Sequence, residues 1–146
     1  MPGAEIQRLH QDVQEFVHDP SGAVRTQDLP TFFIVINFLM NDFTVENGAI
    51  RFIPCTHRNR GVPPSLEEEP EWMQNNHTCA PAGTAIIRDI RCWHGGTANT
   101  SDHKRIMTSV GYYASWYRGT DARGTMPGEV YEGLSQRGQE LCRYLV

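Results

Sequence analysis

The stretch RLHQD at positions 8–12 sets His10 and Asp12 two residues apart. In an extended segment the two-residue period sends both side chains to one face, where an imidazole and a carboxylate can share a metal ion. A second imidazole, His94, ends the run TAIIRDIRCW just before Gly95 and Gly96, a position at a sheet rim from which a side chain can point into a cavity. Two histidines and one carboxylate on one side of a ferrous ion leave three positions open for a cosubstrate and O₂. Arg105 follows His94 by eleven positions. Its planar, permanently charged fork of donors suits the far carboxylate of a dicarboxylic acid. Each residue has a plain alternative: H-x-D is a short pattern, His94 could be a core histidine satisfied by a carbonyl, and Arg105 could be a surface charge.

These residues need strands to position them. Residues 8–17 (RLHQDVQEFV), which alternate loosely, and 31–40 (TFFIVINFLM), rich in β-branched and aromatic side chains, both read as strands. Asn47-Gly48 lies between two apolar runs, the strongest short hairpin signal, so strand 31–40 is expected to pair with strand 49–54. After His57 the chain becomes proline-rich and charged, a surface excursion with a short acidic helix around Leu66 to Gln74. TAIIRDIRCW reads as one strand, residues 105–117 as the last long strand, and residues 129–145 as an amphipathic terminal helix interrupted by Gly133 and Gly138. The expected fold is an all-β core with peripheral helices, including a C-terminal one. The seven aromatics Phe16, Phe32, Phe38, Trp93, Tyr112, Tyr113 and Trp116 could line an apolar pocket or form plain core.

Composition narrows the function classes. The 146 residues fit one domain, 1–146, and the 39% hydrophobic content is globular rather than disordered. A net charge of −4 and pI ≈ 5.8 give no electrostatic basis for binding nucleic acid or an anionic membrane. The longest apolar run is too short to span a bilayer, and the N-terminus lacks the basic and apolar regions of a signal peptide. The default is an intracellular, cytoplasmic protein. Cys55, Cys79, Cys92 and Cys142 include no C-x-x-C pair, so a structural zinc site finds no support and free, mostly buried thiols are expected. The sequons at Asn76 and Asn99 would matter only in a secreted protein.

LHQD, then ENGAIRFIPCTHR, then GTAIIRDIRCWHGGTANTSDHKRI together resemble the phytanoyl-CoA dioxygenase family of Fe(II)/2-oxoglutarate oxygenases, from about residue 4 to residue 117. The resemblance implies a double-stranded β-helix, a jelly-roll or cupin-like barrel with the metal in its mouth. It makes His10, Asp12 and His94 the iron ligands and Arg105 the anchor for the distal carboxylate of 2-oxoglutarate, with O₂ as second cosubstrate. Asn37 aligns with a cosubstrate-lining residue. Thr97 or Asn99 would replace a serine often found two residues after the distal histidine. The turn glycine of the family's PGSH or PGTH stretch is here Cys55, and His57 reads as structural. Relatives that halogenate lack the carboxylate, so Asp12 argues for oxidation, most simply hydroxylation.

Family members usually carry an N-terminal region supplying the first barrel strand and much of the substrate pocket. With the first ligand at residue 10, that part is expected to be missing. The open barrel edge would then be covered by a second copy or a partner chain. The implied substrate is a small hydrophobic molecule, a natural-product intermediate in preference to a fatty acyl-CoA, because no basic site for CoA phosphates is evident. Two other classes stand beside the enzyme: a catalytically incompetent relative or subunit of a larger assembly, and a cupin-like binding protein without 2-oxoglutarate, against which Arg105 argues.

Overall fold

The computed structural model describes residues 1–117 and 124–146, in two compact units, Met1–Ala114 and Ser115–Val146. The first unit holds two antiparallel sheets. Strand β1 (Phe33–Leu39) is the centre of the larger one, flanked by β3 (Ala85–Asp89) and β5 (Met107–Tyr113). Apolar residues on both faces suit β1 to a central strand. Its one interior polar residue, Asn37, faces Ile86 on β3 and Ser109 on β5, while Val35 faces Arg88 and Gly111. Asn37 and Leu39 are each only 1% exposed, so the face carrying Val35, Asn37 and Leu39 is the inner one.

The smaller sheet pairs β2 (Arg51–Phe52) with β4 (His94–Gly95), and a bridge joins His94 to His10 on the other side of β4. Two core clusters support it. Leu39, Phe43, Ala49 and Ile50 pack with Met107 and Ile86 from the large sheet. Leu9, Ile53 and Trp93 pack with Met73. Leu9 and Trp93 immediately precede His10 and His94, so the same alternation that buries an apolar side chain projects each imidazole to the opposite face.

Several expectations about the elements are corrected. Strand 31–40 does not pair with 49–54, because β3 and β5 occupy both edges of β1 and β2 pairs with β4 instead. Asn47-Gly48 turns the chain, but only Gly48 has positive φ (+81°), so the turn is not type I′. Asn47 instead closes a longer loop, accepting from the Thr44 amide at 2.9 Å and donating to the Asp42 carbonyl at 2.7 Å. Residues 8–17 form an extended segment with a single bridge rather than a strand, since past Asp12, whose amide meets the Ile90 carbonyl at 3.1 Å, the turn at 89–92 leaves nothing to pair with.

The run TAIIRDIRCW is two strands in two sheets. Asp89 accepts from the Arg91 amide at 2.9 Å, and the Cys92 amide reaches the Asp89 carbonyl at 3.0 Å. This Asx-type turn breaks the strand and carries the chain to the small sheet. The stretch 66–74 is helical only over α1 (Glu71–Gln74), and Glu69, expected at the surface, is buried against Arg51.

In the second unit the single terminal helix is two short ones, α2 (Gly128–Glu132) and α3 (Gln136–Cys142). The break falls at 133–135, where Ser135 caps α3 by accepting from the Gly138 amide at 3.1 Å. The four cysteines are free as expected, but none is buried. No helix among the described residues is long and apolar enough to cross a membrane.

Candidate metal centre

The bridge between residues 10 and 94 sets two imidazoles side by side, with ring centroids 4.3 Å apart. Each ring is oriented through Nδ1: His94 contacts the Cys92 carbonyl at 2.9 Å and His10 the Arg8 carbonyl at 3.2 Å. A carbonyl only accepts, so each of these hydrogen bonds places a proton on Nδ1 and turns Nε2 toward the cluster as the atom that would meet a metal. Phe52, opposite His94 in the sheet, stacks on its ring with centroids 5.9 Å apart.

Asp12, two residues along the extended segment, brings Oδ1 to 3.5 Å from His94 Nε2 and 3.9 Å from His10 Nε2. The ligand atoms of the three residues all lie within 4.8 Å of one another. Burial works to raise the Asp12 carboxyl, but hydrogen bonding and charge attraction from His94 and then Arg88 prevail and hold it at about 2. The group is therefore a carboxylate at any physiological pH. Two imidazole nitrogens and an anionic oxygen converging within 4.8 Å form a donor set that a divalent cation fits. The His94 side chain is 10% exposed, whereas those of His10 and Asp12 are 39% and 37% exposed, so the cluster is open on one side.

The other singled-out residues divide. Arg105 packs its guanidinium over Phe43, 5.0 Å from the ring centroid, and its Nη1 is buried without a hydrogen-bond partner. Burial pushes this guanidinium below its ordinary range. Asn37 donates to Ser109 Oγ at 2.7 Å and accepts from Arg88 Nε at 3.4 Å. Thr97 donates to the Ala49 carbonyl at 2.8 Å, and Asn99 holds its own loop through the His103 carbonyl and Ser101. His57 lies on the 3-10 turn Thr56–Arg58, outside the cluster. Its neighbour Cys55 takes the left-handed conformation, φ 66°.

Arg88 went unnoticed in the sequence. It donates from Nη2 to Asp12 Oδ2 at 2.7 Å. The available signal was an arginine inside the apolar strand AIIRDI, on the same face as Ile86. A cavity of about 710 Å³ is bordered by His10, by four valines including Val13 and Val62, and by charged side chains including Glu15, Asp19 and Arg60. None of the seven aromatics borders it; Phe32 and Trp93 are core, while Phe16, Phe38, Tyr112, Tyr113 and Trp116 are exposed.

A family model described as phytanoyl-CoA dioxygenase matches residues 1–107. The chain belongs to the phytanoyl-CoA dioxygenase family. Among relatives named as dioxygenases, aneA of Aspergillus aculeatus is 28% identical over 98% of this chain and 47% of its own length. Dioxygenase andF of Emericella variicolor is 29% identical over 98% of this chain and 48% of its own. The chain thus spans about half the length of these family relatives. The crystal structure of EvdMO1 aligns over 78% of this chain and 25% of its own at 18% identity, with a TM-score of 0.48.

Proposed function

We propose that this protein is an Fe(II)/2-oxoglutarate-dependent dioxygenase that oxidises, by hydroxylation, a small hydrophobic molecule such as a natural-product intermediate. The observation that carries this reading is the convergence of His10, Asp12 and His94 within 4.8 Å. Those three residues would hold the ferrous ion. Arg105 would bind the distal carboxylate of 2-oxoglutarate, because its buried, unpartnered Nη1 is a donor awaiting an acceptor. When bound, the iron with 2-oxoglutarate and O₂ supplies oxidative decarboxylation to succinate and CO₂, coupled to oxidation of a substrate C–H bond.

The chain's own contribution is placement. The Cys92 and Arg8 carbonyls orient His94 and His10 through Nδ1, so both Nε2 atoms point toward Asp12 as the ligand atoms. Asp12 stays ionised, and its presence disfavours halogenation. Arg105 would anchor from the segment just before β5, over Phe43, while Thr97 and Asn99 keep the loop between the two sheets in shape. The cavity beside His10 has a volume suited to a ligand of modest size, and Val13, Val17, Val24 and Val62 offer it apolar surface beside charged groups such as Arg8, Glu15 and Arg60. Among the described residues β3 and β5 each pair on one side only, and the proposal includes a second copy or partner chain covering that edge.

Anaerobic titration with Fe(II) and 2-oxoglutarate tests the proposal. The expected result is a weak visible charge-transfer band that disappears in Asp12→Ala and His94→Ala. Absence of the band in the wild type would refute it, and a band persisting in either variant would refute the ligand assignment. A second reading, a metal-binding relative that does not turn over unaided, is favoured by the cluster's open side. It predicts the band without succinate formation across a panel of terpenoid, alkaloid, polyketide and acyl-CoA substrates.

A further inference from the structure

The Asp12 amide is held by the Ile90 carbonyl at 3.1 Å, which fixes the backbone there, but the side chain is 37% exposed and its carboxylate depends on side-chain partners for its orientation. Arg88, on the inner face of β3 opposite Val35, reaches it from the other sheet. We propose that Arg88 is the positioning residue of the metal centre, holding one oxygen of Asp12 so that the other alone is presented toward His10 and His94. The inference rests on the metal-centre reading above and goes beyond it by assigning a role to a residue outside the ligand set.

The two oxygens of Asp12 have different partners. Oδ2 accepts from Arg88 Nη2 at 2.7 Å, while Oδ1 is the atom facing both imidazole Nε2 atoms. Arg88 is held in turn. Its Nε donates to Asn37 Oδ1 at 3.4 Å, Asn37 Nδ2 donates to Ser109 Oγ at 2.7 Å, and its guanidinium lies 5.8 Å from the Phe52 ring centroid. A polar chain thus crosses the large sheet from β3 through β1 to β5 and ends on Asp12. It transfers the rigidity of a three-stranded sheet to a side chain that is partly open to solvent.

A surface ion pair would explain none of this, since exposed pairs contribute little and need no supporting network. The Arg88 side chain is only 11% exposed, and its Nη1 is buried without a partner. Placing a guanidinium inside an apolar strand at that desolvation cost is accounted for by a fixed two-directional fork, which lysine cannot supply. A carboxylate with one oxygen so engaged offers a cation a single oxygen, and that economy leaves a coordination position free for cosubstrate or O₂.

The test uses Mn(II) alone, with free ion followed by electron paramagnetic resonance and the Asp12 carboxylate by metal-minus-apo infrared difference spectra. Arg88→Met is expected to bind Mn(II) about 10- to 100-fold more weakly. The separation between its antisymmetric and symmetric carboxylate stretches should narrow as the freed second oxygen joins the ion. Arg88→Lys should recover affinity only in part, and Asn37→Leu should lose less than Arg88→Met in the same direction.

Wild-type affinity or tighter binding in Arg88→Met, with unchanged infrared separation, overturns the proposal. If circular dichroism shows Arg88→Met unfolded, the other two variants decide, and wild-type affinity in both overturns it. A wild type that binds no Mn(II), or a His94→Ala variant that binds as wild type does, overturns the metal centre itself and the Arg88 role with it. Loss in His94→Ala with no change in the Arg88 variants removes only the Arg88 role.

Discussion

Glu69→Leu is expected to destabilise the fold far more than a substitution in a charged, proline-rich stretch ordinarily would. Glu69 is ion-paired with Arg51, and neither side chain is exposed. Arg51 also donates from Nη2 to the Gln7 carbonyl at 2.5 Å, and it faces Gly95 across the small sheet. Burial pushes the Glu69 carboxyl up and the Arg51 guanidinium down despite their pairing, so desolvation opposes the pair and its removal from one side leaves a charge uncompensated. Breaking such a pair from one side costs about 3–5 kcal/mol. For a domain of this size that lowers the midpoint of thermal unfolding by roughly 10–20 °C.

Arg51→Met/Glu69→Leu removes both charges and leaves only the Gln7 carbonyl without its donor, a cost of about 1–3 kcal/mol. The double variant should therefore recover a large part of the loss. Because Gln7 also donates to the Gly96 carbonyl at 2.9 Å, three residues before His10, Mn(II) affinity should fall in the single variant as well. Thermal melts followed by circular dichroism and a Mn(II) titration read both effects. A single variant within about 1 kcal/mol of wild type, or a double variant no more stable than the single, would refute a coupled buried pair.

Arg105→Met should bind 2-oxoglutarate to the Mn(II)-loaded protein roughly 10- to 100-fold more weakly, the loss of a charge-assisted contact, with an unchanged or higher melting midpoint because a buried charge without a full set of partners is removed. A lower midpoint with unchanged calorimetric affinity would make Arg105 a packing residue on Phe43. Cys55→Gly should gain about 0.5–1 kcal/mol in urea unfolding, since φ 66° strains a side chain by about 1–2 kcal/mol and glycine's extra unfolded freedom offsets part of that; equal or lower stability would refute the strain. The Asp89 carboxyl is held below 3.8 because hydrogen bonds and charge from Arg91 outweigh burial. A depressed folded value gives stability that is present above the unfolded pKa and lost as pH falls through the folded one. The stability gap between wild type and Asp89→Asn should hold at neutral pH and narrow below about pH 4, and a gap independent of pH would refute that role.

What could be read in advance was local. His10 and Asp12 share a face because two residues of extended chain put them there, whether or not residues 8–17 form a full strand. The three-stranded sheet was visible as apolar runs, but its pairing was not, because the Asn47-Gly48 turn reports how the chain bends and not which strand covers the edge of β1. The break at Asp89 has a local signal, an aspartate two residues before an arginine, which the apolar run on either side hid. Arg88 and Glu69 were illegible for the opposite reason. A charge in a strand or a proline-rich loop reads as solvated until a partner 76 or 18 residues away is known to be beside it.

The three donors are anchored by groups that would not themselves bind the ion: two backbone carbonyls for the imidazoles and one guanidinium for the carboxylate. These polar anchors orient the donors, but they do not by themselves bring the two histidine-bearing segments side by side, and that free energy comes from elsewhere in the fold. Its source is directly beneath. Leu9 and Trp93 are 1% and 4% exposed and pack on Ile53, and each is covalently next to a candidate ligand histidine. Burying apolar side chains of this size stabilises by about 1.5–3 kcal/mol each, and along an extended chain a side chain cannot be driven inward without its neighbour being driven outward. Hydrophobic burial on one face of the small sheet is therefore the force that assembles the polar cluster on the other.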